Sequence, residues 1–81
     1  MTITIVAVHK DSDGNIESVK TEYGTIFSKS SVIYLITNEG DKFKTKDFLG
    51  HEADVHIYND KWLRTDKNNN NWDNLGNLPT F

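Results

Sequence analysis

The chain contains no cysteine. That absence removes disulfide staples, cysteine-ligated zinc and thiol nucleophiles at once, so an 81-residue domain must be held by packing alone or by self-association. No apolar run approaches the roughly 18 residues that cross a bilayer. The opening MTITIVAVHK alternates apolar and polar residues and lacks the basic segment followed by an apolar one that marks a targeting signal. A cytoplasmic protein without membrane association is the expectation. Positive charge is also short: nine Lys and Arg stand against twelve Asp and Glu, a formal net charge of −3. That balance argues against broad binding to nucleic-acid phosphates unless the cations cluster. Missing too are a serine nucleophile elbow, a Gly-rich phosphate loop and a paired Cys/His catalytic motif. Twelve acidic residues always allow some carboxylate pair in space, but nothing singles one out. A protein that is not an enzyme and uses no cofactor is therefore expected.

What is present is most telling at the end. Lys61 to Phe81, KWLRTDKNNNNWDNLGNLPTF, sets Trp62, Leu63, Trp72, Leu75, Leu78, Phe81 and the only proline among Asn and Asp. A disordered linker has no use for such large apolar groups, so residues 67–81 are expected to form an Asn-rich extended strap docked on a core made by residues 1–66. The length allows one domain.

Along the chain, Thr2 to Val8 alternates Ile3, Ile5 and Ala7 with Thr4, Val6 and Val8, which suits a well-covered strand. Asp11 to Asn15 supplies a turn in which Gly14 takes positive φ, and Ile16 to Glu22 returns as a second strand around Val19. The turn's acids resemble the start of a calcium loop, but no Glu closes the shell at the twelfth position, and turn chemistry is the better reading. A short extended piece, Thr25 to Phe27, leads into the one good helix candidate, with Val32, Ile33, Leu35 and Ile36 at helical spacing. Ser28, Ser30 or Ser31 can cap its start and Asn38 to Gly40 stops it. Strands then follow at Lys42 to Lys46, Ala53 to Tyr58 and Lys61 to Thr65, the last two joined across Asn59-Asp60, with Val55 and Ile57 facing inward.

KDSDGNI, GTIFS before a helix, DVHI, WLRT and NNWDNLGNLP together resemble a small bacterial and phage family, domain of unknown function 3892. The resemblance covers nearly the whole chain and is most specific at Trp62-Leu63-Arg64-Thr65, Asn74-Leu75 and Leu78-Pro79. Trp62 stands where Tyr is commoner in that family, and the run Asn68 to Asn71 departs from its pattern. The resemblance implies an opening strand and turn, a helix, and a strand before the Asn-Leu…Leu-Pro ending; it implies no reaction.

Three groups of residues, and Trp72 by itself, are candidate sites. Arg64, the only arginine, is flanked by Trp62 and Thr65, an arrangement that can hold a phosphate or carboxylate beside a stacked ring. It can equally lock the returning strap, for instance through Asp73. Lys42, Lys44 and Lys46 recur at every second position and form a basic stripe, suited to nucleic acid or to protecting an edge strand. Trp72, if exposed, marks a protein interface. His51, Asp54 and His56, with Glu52 and His9, offer nitrogen and oxygen ligands to a divalent ion, which would make a metal-dependent hydrolase; a polar solvent-facing edge explains them equally.

The combined expectation is an α+β domain: a twisted antiparallel sheet or partial barrel of about five strands with one helix, in the order ββαβββ, and a C-terminal extended strap. The expected role is a non-catalytic binding or interaction protein with a protein partner, in the setting of a phage or mobile-element accessory protein that acts on a host protein, for example as an inhibitor of a defence system. The alternative is a nucleotide or nucleic-acid binder using Arg64, the lysine stripe and tryptophan stacking. A homodimer, with or without a swapped strap, is compatible with either.

Overall fold

The computed structural model describes residues 2–65, Leu75 and residues 78–81. DSDGN folds as the turn its composition predicts, joining β1 (Thr2–Lys10) to β2 (Ile16–Thr21). Asp11 Oδ1 accepts bonds from the Asp13 and Asn15 amides at 2.9 and 3.0 Å, the Gly14 amide donates to the Asp11 carbonyl, and Gly14 takes φ 83°.

The same frame recurs twice. In Thr21 to Thr25 and in Asp47 to His51, the Gly amide at the fourth place donates to the carbonyl of the first residue, and the first residue's amide donates to the fifth carbonyl. The fifth amide in turn donates to the first residue's side-chain oxygen. Gly24 and Gly50 take φ 86° and 87°. This is a three-residue hairpin loop closed by a left-handed residue, a position at which a Cβ would be strained.

Chain direction after the second turn corrects the expected sheet. The segment read as a short extended piece forms β3 (Ile26–Ser28), because Phe27 pairs with Val19 and meets the Phe43 ring edge-on at 6.0 Å. Ser28 then caps α1 (Lys29–Glu39) by accepting from the Ser31 amide at 3.1 Å, and Gly40, left-handed at φ 68°, ends it. The helix is a crossover that returns β4 (Lys42–Lys46) beside β1 in the same direction. The described sheet is therefore mixed and six-stranded, ordered β3-β2-β1-β4-β5-β6 with β5 (Glu52–Tyr58) and β6 (Trp62–Thr65), and it is not closed into a barrel. Asn59 and Asp60, both at positive φ, turn β5 into β6 as their residue types predict.

The alternation expected in β1 breaks at a bulge near Val6. Ile5 pairs with Thr21, yet Ala7 pairs with Lys20 and Val8 with Val19, so Ile5 and Val8 are both fully buried although three residues apart. They share the core with Val19, Val32, Phe43, Val55, Leu63, Leu75 and Leu78, with Ile57 packed against it. α1 lies over this face, against β2, β3, β4 and β6.

Beyond the bulge, β4 no longer flanks β1. The chain end takes its place: the Val8 amide donates to the Pro79 carbonyl at 2.9 Å and the Phe81 amide to the Val8 carbonyl at 3.0 Å, a parallel bridge at Thr80. The Leu75 amide donates to Thr65 Oγ1. The described part of the 67–81 strap is thus docked, while residues 66–74, 76 and 77, including Trp72, Asp73 and the Asn68 to Asn71 run, lie outside the described residues. No described helix is long and apolar enough to cross a membrane.

Truncating Leu78 to Ala is expected to cost about 2–5 kcal/mol, as for other buried leucines, seen as a lower urea midpoint with an unchanged slope. A loss under about 1 kcal/mol would show that the strap does not complete the core.

Candidate functional site

The lysine stripe occupies a central strand. Lys42, Lys44 and Lys46 alternate with buried Phe43 and Thr45, so they share the sheet face away from the core, but β4 lies between β1 and β5. Edge protection therefore does not explain them. Acids on β5 face two of them: Lys44 is in register with Asp54 and Lys46 with Glu52, and Lys44 Nζ bonds Glu52 Oε2 at 2.8 Å. That hydrogen bond, then the charge behind it, holds the Lys44 ammonium above its ordinary pKa and the Glu52 carboxyl below its own. An incoming phosphate at these two lysines would have to displace carboxylates already in place.

The His-Asp group divides. Asp54 and His56 project outward from β5, as alternation predicts, and His56 is in register with Arg64. His51 turns back instead, its Nδ1 lying 2.9 Å from Asp47 Oδ2. Among the described residues, no three His, Asp or Glu side chains are grouped to hold a metal ion.

The Asp47 contact organises a feature the sequence reading missed. Asp47 is only 6% exposed and closes the loop between β4 and β5 from below. Its Oδ1 accepts from the Leu49 and His51 amides, both at 2.9 Å, and its Oδ2 engages the His51 ring. Burial pushes the carboxyl upward, but the bonds from the His51 amide and ring and the Leu49 amide outweigh it and hold the group below its ordinary value. On this fixed base Phe48 and Leu49 are 87% and 63% exposed. The signal in the sequence was a five-residue Asp-to-His turn with two large apolar residues and a Gly at its fourth place, between two strands already recognised.

The expected pairing of Trp62 and Arg64 takes a different form. Both lie on one face of β6, but each is already engaged: Lys29 Nζ stands 4.4 Å above the Trp62 ring and the Arg64 guanidinium 4.9 Å from the Tyr58 ring. A cleft of about 290 Å³ opens beside them, lined by the first turn region (Lys10, Gly14 to Ile16), Lys29, Trp62 to Thr65 and Leu75.

Fold and surfaces together define a small α+β domain with a crossover helix, a fixed apolar loop and a basic cleft. The chain belongs to the family described as protein of unknown function, DUF3892, whose model matches residues 4–79. No curated protein and no solved structure matches the chain.

The depressed Asp47 carboxyl carries a pH signature. With its folded pKa below the unfolded value, its stabilising effect is full above the ordinary carboxylate range and is lost as pH falls from about 4 through the folded value. Asp47→Asn should melt several degrees lower at neutral pH, and the difference should shrink as pH falls below about 4. Parallel melting curves at every pH would contradict the clamp.

Proposed function

We propose that this protein is a non-catalytic interaction module that inserts Phe48 and Leu49 into an apolar pocket of a protein partner. The observation that carries the reading is the pair of exposed large apolar side chains on a loop fixed by buried Asp47. The three related turns supply an internal comparison. The same backbone frame carries Ser12-Asp13 in the first turn, Glu22-Tyr23 in the second and Phe48-Leu49 in the third. Folding of the frame does not require apolar tips, so it does not account for the third pair.

A fixed loop lowers the ordering cost of binding, and an aromatic-aliphatic anchor is the usual centre of a protein interface. The flanking charges favour protein over membrane. Lys46, Glu52 and Asp47 beside the loop leave no basic collar, and the net charge of −3 opposes an anionic lipid surface. Of the other exposed aromatic rings, Tyr58 lies against Arg64 and Phe81 against Lys20, while Tyr23 and Tyr34 carry a hydroxyl that water can bond. Extending this reading, we place the protein in the cytoplasm as a phage or mobile-element accessory factor whose partner is a host protein, for instance a component of a defence system.

The double substitution Phe48→Ser, Leu49→Asp gives the third turn the tip of the first. It should leave the melting temperature within about 2 °C of wild type, as surface changes do. A partner captured by the wild type and then purified should bind the variant at least roughly 30-fold more weakly, the loss of one or more anchor residues. Equal affinity would sink the proposal. Concentration-dependent self-association that the same variant abolishes would instead identify the occupant as a second copy.

A further inference from the structure

We infer that the free edge of β3 and the flank of α1 beside it form a second docking surface, which takes up an extended segment of a partner protein as a further strand of the sheet. β3 ends the described sheet: it pairs with β2 on one side, and among the described residues nothing pairs with the other. The direction of its backbone groups follows from the turn before it. The Thr21 amide donates to the Thr25 carbonyl, so the next bonded pair of the antiparallel ladder is Val19 with Phe27. Ile26 and Ser28 alternate with these and aim their amides, and Ile26 its carbonyl, away from β2. The Ser28 carbonyl belongs to the first turn of α1, which Ser28 caps. Edges are commonly blunted by lysine, proline or a bulge. β3 has none of the three, and its Ile26 is 57% exposed.

The side chains beside this edge give an added strand its seat. Phe27 on β3 and Ser30, Ser31, Tyr34 and Leu35 on α1 line an open groove of about 480 Å³, and Tyr34 is 57% exposed. A strand laid antiparallel on the edge bonds the Ile26 amide and carbonyl and the Ser28 amide. Its residue opposite Phe27 then falls in a non-bonded pair, where side chains approach most closely, and points into the groove. A large apolar side chain there packs against Phe27, Tyr34 and Leu35. The next residue lies opposite Ile26 and covers it on the other face of the sheet. Backbone bonds supply the affinity and the groove supplies the selectivity, for one large apolar residue in an extended segment.

The size of the surface decides between a partner segment and a second copy of this chain. A stable dimer interface draws on about 20–30 residues a side. A three-residue edge and one groove offer fewer than half that, and β3 is bounded by the Gly24 turn and by the start of α1. A short extended segment needs no more. The surface is separate from the Phe48-Leu49 loop, because β2 and β1 lie between β3 and β4, and it stands whatever that loop does.

The test uses the labelled full chain and the capped peptide acetyl-Lys-Ser-Thr-Phe-Val-Ser-Lys-amide, which sets Phe opposite Phe27 and Val opposite Ile26. In the free protein the Ile26 and Ser28 amides should exchange with water at least about tenfold faster than the Phe27 amide. Peptide should give saturable NMR shifts confined to residues 25–35, with a midpoint of about 1 mM or below. At saturation the Ile26 and Ser28 amides should exchange about tenfold more slowly while Phe27 is unchanged. Methylating the Val nitrogen removes the bond to the Ile26 carbonyl and keeps every side chain; that peptide, and one with Ala in place of Phe, should each bind about fivefold more weakly or worse. Tyr34→Ala, which opens the groove wall, and Ser30→Arg, which obstructs it, should have effects of similar size, and either suffices if the other fails to fold. The Phe48→Ser, Leu49→Asp variant should bind the peptide within about twofold of wild type. Slow exchange at Ile26 and Ser28 in the free protein, no saturable shift up to about 10 mM, or equal binding by the methylated peptide would each overturn the inference. Protection of the edge that grows with protein concentration in the absence of peptide would overturn it in favour of a second copy.

Discussion

A central strand must have hydrogen-bond partners on both sides, and in this protein that demand falls on β1. β2 pairs with it along one side from Ile5 to Lys10, but β4 covers only Thr2 to Ile5 on the other. The bulge near Val6 turns Val8 back toward the core and leaves its amide and carbonyl facing a gap. Residues 79–81 fill that gap and bring Leu78 and Leu75 under the helix. The C-terminal segment is thus part of the core and part of the ladder. A domain this small has little apolar surface to spare, which is why its last residues carry weight in the fold.

With β1 paired on both sides in this way, the hairpin loops are free to vary. One backbone frame, a left-handed Gly at the fourth place and reciprocal bonds between the first and fifth residues, serves three of them. The first residue's oxygen accepts from the fifth amide each time, whether Asp or Thr supplies it. What differs is the tip. Polar residues at the first turn are what solvent favours; Phe48 and Leu49 at the third are held out against the hydrophobic effect, about 1.5–3 kcal/mol for each side chain that a partner buries fully. The buried Asp47 and its His51 contact are what keep that pair displayed.

Local chemistry was legible in the sequence and long-range pairing was not. DSDGN, the Ser28 and Gly40 ends of the helix, Asn59-Asp60 and the inward Val55 and Ile57 all follow from properties of a few adjacent residues, and the family pattern at WLRT and the Leu-Pro ending was visible directly. The bulge in β1 was hidden because Ile5, Val6, Ala7 and Val8 are all apolar, so alternation had no polar residue to register its loss. The parallel β1 and β4 pair was hidden because direction is set by the helix crossover and not by either strand. For the same reason Lys42, Lys44 and Lys46 were read as an edge stripe when two of them face acids of β5 in mid-sheet. The grouping of Arg64 with Trp62 assumed that strand neighbours share a ligand. In the fold, each ring instead finds a cation from its surroundings, Lys29 from the helix and Arg64 across the hairpin.

The central claim is that Phe48 and Leu49 form a preorganised anchor and not a loose apolar tip. Nitrogen relaxation of the Phe48 and Leu49 amides measures this directly. Order parameters near 0.85, matching β4 and β5, are the result the Asp47 frame predicts. Values below about 0.6 with ordered flanking strands would contradict it.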